Sequence, residues 1–328
     1  MKNEPLISVI TSCYNSSAVV HEAIESILSQ TYTNFEFILI NDGSTDNTLN
    51  ILNKYALRDN RITVINKHNT GLTASLNQGL NASKGVYIAR IDADDIALDD
   101  RLAKQLNYLF RYPDVALVGS NAFVIDSKGS LISETKIPVD TNKLKYRIVY
   151  KLHTFPHSSI MFNKKEVIKM GGYNERFTKA QDFDLYLRLY SNNKKIACMG
   201  EKLIKLRAYM GSTGNNDSQT LQARMALASS ACYFRRMSGR IDYSARSEEK
   251  WELFYSVVNT WYKAMNLQNK VKAKLYFQES RRQLKNHSIA ASLKMLANAL
   301  FNDPLFFLYK GMGLKIPDDF DEIIKVIL

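Results

Sequence analysis

Cysteine is scarce: Cys13, Cys198 and Cys232 are spread over 328 residues. An odd number, widely spaced, forms neither a disulfide framework nor a CxxC metal site, and the expected compartment is a reducing cytoplasm. No apolar run approaches the ~20 residues that cross a bilayer, so a membrane-spanning chain is not expected. Residues 6–10 are broken by Ser8 and preceded by Glu4-Pro5, which does not read as a signal peptide. There is no repeat and no low-complexity segment, no HExxH motif and no Ser–His–Asp set; His21, His68 and His287 stand without a partner pattern. Acidic charge is in deficit, 32 Asp+Glu against 44 Lys+Arg, a net of +12. What is present is a large apolar fraction, 45% hydrophobic and 11% aromatic, which excludes disorder as the main state. The length suffices for one large or two modest domains with a true core.

The positive charge suits nucleic acid, an anionic membrane face, a polyanionic substrate, or solubility alone. It is concentrated toward the tail, where residues 215–328 hold 17 Lys+Arg and 11 Asp+Glu.

The first half alternates between two hydrophobic periods. Residues 6–14 (LISVITSCY), 35–40 (FEFILI), 61–66 (RITVIN) and 86–91 (VYIARI) read as strands. Between them, helical spacing covers 19–30, a segment carrying Leu49, Leu52 and Tyr55 that Asp46 or a neighbouring hydroxyl can cap, and 72–82. Four strand–helix units in about 95 residues imply parallel strands with right-handed crossovers, and ligands bind outside the carboxyl ends of such strands. Ser12/Tyr14/Asn15, Asp42 and Asp92/Asp94 all fall at those ends. Further on, 99–112 reads as a helix, 115–126 and 131–134 as a hairpin around Ser127-Lys128-Gly129, 158–162 as a strand, and 181–190 as a helix of ambiguous facing. Residues 211–216 read as a linker, and from 218 onward the pattern is helical, with Trp251, Phe254, Tyr255, Val258, Trp261 and Tyr262 at three-and-four spacing.

Asp92 and Asp94 would point to the same side of an extended strand end. Two such carboxylates make a hard-oxygen site for Mg2+ or Mn2+, with a phosphate completing the shell. Asp182/Asp184 and Asp319/Asp321 repeat the spacing, and a lone pair of this kind is ordinarily a solvated turn; the strand end sets Asp92/Asp94 apart. Asp42 can form a turn, cap a helix, or accept a hydrogen bond from a base imide. Tyr14 can stack on that base or sit at a rim.

The motifs, taken in order, are ISVITSCYN at 7–15, SILSQTY at 26–32, NDGSTD at 41–46, NTG at 69–71, KGVYI at 84–88 leading into DADD at 92–95, HSSIMF at 157–162, GGY at 171–173 and AQDFDLYLR at 180–188. Over residues 5–210 this arrangement resembles the inverting family 2 glycosyltransferases. The resemblance implies an α/β fold of GT-A type, a Rossmann-like mixed sheet flanked by helices, followed by a C-terminal helical region. It implies that Ser12, Tyr14 and Asp42 hold a uridine, that Asn69 and Gly71 line the nucleotide pocket, and that Asp92 lies near the ribose. Asp94 would bind Mn2+ or Mg2+ bridging the diphosphate, and Asp182 would be the general base. Gln181 replaces the Glu, and Leu76 the Arg, that many relatives carry.

The expected organisation is a nucleotide-sugar-binding and catalytic domain at 1–214 and a helical, basic region at 215–328. The expected reaction moves a sugar from a UDP-sugar to a hydroxyl of a glycan or polyprenyl-diphosphate-linked acceptor in bacterial O-antigen or capsule synthesis. With one base and no carboxylate nucleophile in evidence, direct displacement with inversion is favoured over a covalent route. The tail, including the apolar 296–309 with Pro304, reads either as a peripheral surface for the inner face of an anionic membrane or as a helical cap with solvated charges. Two alternatives are a nucleotidyltransferase acting on sugar phosphates and a nucleic-acid binder. The first wants a basic phosphate-gripping loop, but 11–17 holds no Lys or Arg. The second leaves the gathered carboxylates unexplained, because they repel phosphates.

Overall fold

The branched residues of β1 (Ile7–Cys13) form an inner strand of the structure, a computed structural model that describes residues 4–149, 154–208, 216–264 and 279. All its side chains but Ser12 are buried, as expected of a strand covered on both faces. β2 (Phe35–Asp42) pairs with it in parallel on one side and β4 (Tyr87–Arg90) on the other, and β3 (Ile62–Lys67) extends the sheet beyond β2. Parallel neighbours need crossovers. These are α1 (Val20–Leu28), α2 (Thr48–Arg58) and α3 (Leu72–Ala82). α1 buries Val20, Ala23, Ile24 and Ile27, the face that its spacing predicts.

The second half is antiparallel where it joins the first. β8 (Met161–Asn163) runs against both β4 and β6 (Val115–Ile125). β6 pairs with β7 (Leu131–Glu134) as the anticipated hairpin and in parallel with β9 (Lys195–Arg207), while the short β5 (Ile96–Ala97) closes against β9. Among the described residues the sheet has nine strands in the order β3-β2-β1-β4-β8-β6-β9-β5, with β7 beside β6.

One expectation needs correction, and two elements stand where the sequence pattern predicts none. Residues 158–162 are not one strand: His157–Ser159 form a 3₁₀ turn, and only Met161–Asn163 are extended. β9 was not anticipated, because its pairing with β6 shifts register near Asn121 and breaks the period-two signal. The helices α4 (Arg101–Arg111), α5 (Thr141–Val149), α6 (Lys164–Ile168) and α7 (Gln181–Ser191) complete this part. α5 was also unforeseen, since its inward face carries only Leu144 and Ile148. The facing of α7 was ambiguous for a physical reason: residues 184–190 are all buried, so no side of the helix is marked by polarity.

Contacts divide the chain into Met1–Ser212 and Thr213–Leu328. In the second unit α8 (Asn216–Met237) packs with α9 (Glu248–Ala264), which buries Trp251, Phe254, Val258 and Tyr262. Tyr243 stacks on Phe254 at 4.2 Å and lies under the Arg235 guanidinium at 4.5 Å. No described helix is long and apolar enough to cross a membrane. The linker assigned to 211–216, apart from Asn216, and the apolar 296–309 segment lie outside the described residues.

Candidate active site

At the carboxyl edge of β1–β3 the loops lock one another. Asn41 and Asp42 end β2 beside Asn66 and Lys67 of β3. Asp42 is buried and accepts hydrogen bonds from the Thr70 N–H at 2.9 Å and the Gly71 N–H at 3.0 Å, and from Lys67 Nζ. Burial alone would raise its pKa, but the Lys67 ammonium and the two amides outweigh it and hold the carboxyl below the usual range. Asn69 and Gly71, both singled out from the sequence, therefore sit in the loop that clasps Asp42. The Asn15 side chain accepts from the Thr45 N–H at 2.8 Å, and the Asn15 N–H donates to Ser44 Oγ at 3.0 Å, tying the β1 loop to the β2 loop. Ser12 is half-buried at the end of β1, and Tyr14 is 51% exposed at the rim.

Gly43 makes this clasp possible. Its φ is +71°, and a Cβ would lie 2.5 Å from the Asn69 backbone nitrogen. Gly43→Ala is expected to destabilise the fold by at least ~1–3 kcal/mol from the left-handed conformation alone. A lowered urea midpoint at unchanged m-value would show it, and an unchanged midpoint would refute it.

The acidic cluster follows β4. Asp92, Asp94 and Asp95 each offer a carboxylate oxygen within 4.8 Å of the others. They lie in a turn closed by the Asp95 N–H on the Asp92 carbonyl at 3.3 Å, past the last residue of β4. That corrects the expectation of an extended strand end: curling of the chain, not pleat alternation, brings these acids together.

The turn is held from several sides. Ser158 Oγ accepts the Asp92 N–H at 2.9 Å. The Arg207 N–H donates to Asp95 Oδ1 at 2.8 Å, and Arg207 Nε to the Asp94 carbonyl at 2.9 Å, while its far nitrogen pairs with Glu22 at 2.9 Å. Arg90, buried, grips Asp92 with both terminal nitrogens, one at 2.6 Å.

The donor set fits a hard divalent cation. Burial and then the Asp92 and Asp94 charges push Asp95 up to about 7, and burial and then Asp92 raise Asp94. Asp95 Oδ2 is buried without a hydrogen-bond partner; Ser158 lies near enough to favour its charged form but does not bond that oxygen. A divalent cation would relieve this mutual repulsion.

Asp182 occupies the first turn of α7, behind Ala180, whose φ of +56° is unusual for a residue with a Cβ. Burial raises its pKa, and the helix N-terminal amides and the Arg90 guanidinium only partly offset that. Arg90 and Asp92 both act electrostatically on Asp182, which puts the helix start and the acidic turn in one field. The Asp92 charge also reaches Cys13 at the end of β1, so β1, the acidic turn and α7 converge. Tyr173 and His157 join them: His157 Nε2 lies 3.0 Å from Tyr173 Oη, and burial and then Arg90 keep the imidazole neutral, far below its usual pKa. Asn77 anchors the Tyr173 loop, accepting its N–H at 2.8 Å and donating to its carbonyl at 2.9 Å.

Asp184, two residues on, is buried in an ion pair with Arg188 at 2.7 Å within the same helix. Leu76 is buried in the core and Gln181 is nearly so. Sequence reasoning missed Arg90, Arg207 and any role for Asp95. Arg90 left a trace, a cation two residues before Asp92 in an otherwise apolar strand; Arg207 left none.

A parallel β1–β4 core extended by antiparallel strands, with an acidic turn after β4, defines an α/β protein of GT-A type. The profile described as "Glycosyl transferase family 2" matches residues 8–171. The chain belongs to that family and is a glycosyltransferase. It is 36% identical over 208 residues to the uncharacterised glycosyltransferase MJ1057 of Methanocaldococcus jannaschii, covering 62% of this chain and 71% of that protein. It is 34% identical over 211 residues to the O-antigen biosynthesis glycosyltransferase WbnJ of Escherichia coli, covering 63% and 82%. Among solved structures, S. aureus TarS 1–349 in complex with UDP-GlcNAc aligns with a TM-score of 0.55 at 17% identity, over 95% of this chain and 93% of that one. The mannosyltransferase PcManGT of Pyrobaculum calidifontis, in complex with GDP-Man and Mn2+, has the same score and identity over 99% and 85%. At that identity the structural likeness speaks for the fold.

Proposed function

We propose that this glycosyltransferase is divalent-metal-dependent and inverting, and that it transfers a sugar from a nucleotide sugar, a UDP-sugar by preference, to a hydroxyl of a glycan or polyprenyl-diphosphate-linked acceptor in bacterial surface-polysaccharide assembly, O-antigen or capsule. The observation that carries the reading is the gathering of Asp92, Asp94 and Asp95 in one turn, sharing a field with Asp182 through Arg90. The UDP-GlcNAc and GDP-Man bound by two proteins of like fold, and the O-antigen role of a 34%-identical relative, support it.

In this reading residues 1–214 are the catalytic domain. Ser12, Tyr14 and Asp42 with the Asn69–Gly71 loop receive the nucleoside, Tyr14 by stacking. Asp42 is already clasped by two amides and Lys67, so it positions the loop as much as it reads the base. Asp92, oriented by Arg90, lies toward the ribose. Asp94, whose carboxylate accepts no hydrogen bond from another described residue while Arg207 holds its backbone carbonyl, would hold Mn2+ or Mg2+ with Asp95 beside it. The cation supplies Lewis-acid stabilisation of the leaving diphosphate. Asp182 takes the proton of the acceptor hydroxyl as it attacks. Its raised pKa makes it a stronger base than an ordinary carboxylate; with the Asp92–Asp95 acids assigned to the ribose and the cation, no further carboxylate among the described residues is assigned as a nucleophile, and the reading is a single, inverting displacement. The region after residue 214 would rest on the inner face of the membrane, with flotation on anionic but not neutral vesicles as its sign.

The test is a donor panel. Purified protein with Mn2+ is expected to hydrolyse at least one of UDP-glucose, UDP-galactose and their N-acetyl forms, and chelation should abolish it. Hydrolysis untouched by chelator would remove the metal from the mechanism. Stabilisation by a short oligonucleotide alone, with no response to nucleotide plus Mn2+, would overturn the whole reading.

A further inference from the structure

Away from the acidic turn, a groove of about 840 Å³ opens between α5, the segment from Glu134 to Pro138 and the bulged part of β9. Its floor is built rather than incidental. Buried Asn121 accepts from the Ile137 N–H at 2.8 Å and from the Thr135 hydroxyl at 2.9 Å, and donates to the Gly200 carbonyl at 3.2 Å, pinning both walls. α5 turns Leu144 and Ile148 inward. Its other side presents Lys143, Tyr146 and Arg147 to the groove, and Lys136 and Lys202 reach it from the facing walls. Lys202 is spent on Glu134 at 2.8 Å, and Asp140 is spent capping α5 through the Lys143 N–H at 2.7 Å. Lys136, Lys143 and Arg147 form no ion pair among the described residues. Three unpaired cations beside a half-exposed tyrosine suit a ligand with fixed negative charges and apolar faces.

We propose that this groove binds a polyanionic glycan, a saccharide chain carrying carboxylate or phosphate groups, as the distal part of the acceptor. Sugar faces would lie on Tyr146 and the anionic groups would meet Lys136, Lys143 and Arg147. The groove communicates with the acidic turn through two rigid elements. β9 runs from Lys202 at the groove to Arg207 at Asp94 and Asp95, about 17 Å of extended chain. α5 packs on α7, the helix that starts at Asp182, with Lys145 5.5 Å from the Tyr190 ring centroid. A chain of a few sugars could therefore have its reacting hydroxyl at Asp182 while its charged part rests in the groove. This deepens the acceptor half of the proposed function and rests on that reading.

The test is binding to the full chain, read by calorimetry without turnover, with tetragalacturonate as the polyanionic probe and maltotetraose as its neutral counterpart. Tetragalacturonate is expected to bind and to weaken as salt rises, and maltotetraose not to bind. Lys136→Glu with Lys143→Glu should raise the tetragalacturonate Kd about tenfold or more. The control pair Lys54→Glu with Lys165→Glu, equal in charge and exposed elsewhere, should leave it unchanged, and UDP-sugar hydrolysis should be the same in all three proteins. No tetragalacturonate binding, equal binding of both tetrasaccharides, or an equal effect of the control pair would overturn the groove. Displacement by inorganic phosphate at matched charge would make it a free-anion site and overturn the glycan assignment. Because hydrolysis and groove binding are read separately, loss of one leaves the other standing.

Discussion

Asp182→Asn is expected to lose ~10²–10⁴-fold in kcat for transfer while donor affinity stays within about twofold, the pattern of a removed general base. The amide fills the same volume at the start of α7 but cannot accept the acceptor's proton. In the wild type the rate should fall on the acid side through a pKa above that of an ordinary carboxylate. Burial is the main cause of that shift, and the Phe183 amide and Arg90 only partly oppose it.

The linkage to stability has the opposite sign. A carboxyl whose folded pKa is raised penalises the native state once ionised, so the penalty builds as pH rises from the ordinary carboxylate range and is complete only above the raised value. Asp182→Asn should therefore melt no lower than wild type at pH 7. Steady-state transfer assays, donor titration and thermal melts together check this. Near-normal turnover would remove Asp182 from the mechanism, and a large drop in melting temperature would make its role structural.

Asp94→Ala should abolish the Mn2+-dependent part of UDP binding. Loss of a mere outer-shell partner typically costs ~10–100-fold in metal affinity, and removal of a ligand should cost at least that. The neighbours cannot swing in to compensate. Arg90 grips Asp92 with two nitrogens, and Asp95 is buried with one oxygen on the Arg207 amide. Calorimetry with UDP in Mn2+ and in chelator separates the metal-linked affinity from the rest. Unchanged Mn2+-linked affinity would place the cation elsewhere.

Periodicity carried the first half of the fold because each element there has one job. The strands β1 and β2 are covered on both faces and read as apolar runs; α1 is covered on one and reads as a stripe. The signal failed where a tertiary feature interrupts the period. β9 shifts register against β6, α5 anchors itself with two apolar residues, and 157–163 splits into a turn and a short strand. The acids of the site were legible one by one, since each follows a strand or opens a helix. Their mutual arrangement was not, because the Asp92–Asp95 turn is held by Ser158 and Arg207, 66 and 112 residues away in sequence.

The sequence by itself determined the family, the α/β alternation and the carboxylates available for chemistry, because local hydrophobic period and short motifs are written in neighbouring residues. Only the tertiary structure decided that buried Arg90 grips Asp92 while its charge acts on Asp182 and His157, that Arg207 braces the acidic turn, and that Lys136, Lys143 and Arg147 meet around one groove. Those relations depend on long-range packing, which sets the burial, and so the charge behaviour, of groups that look alike along the chain.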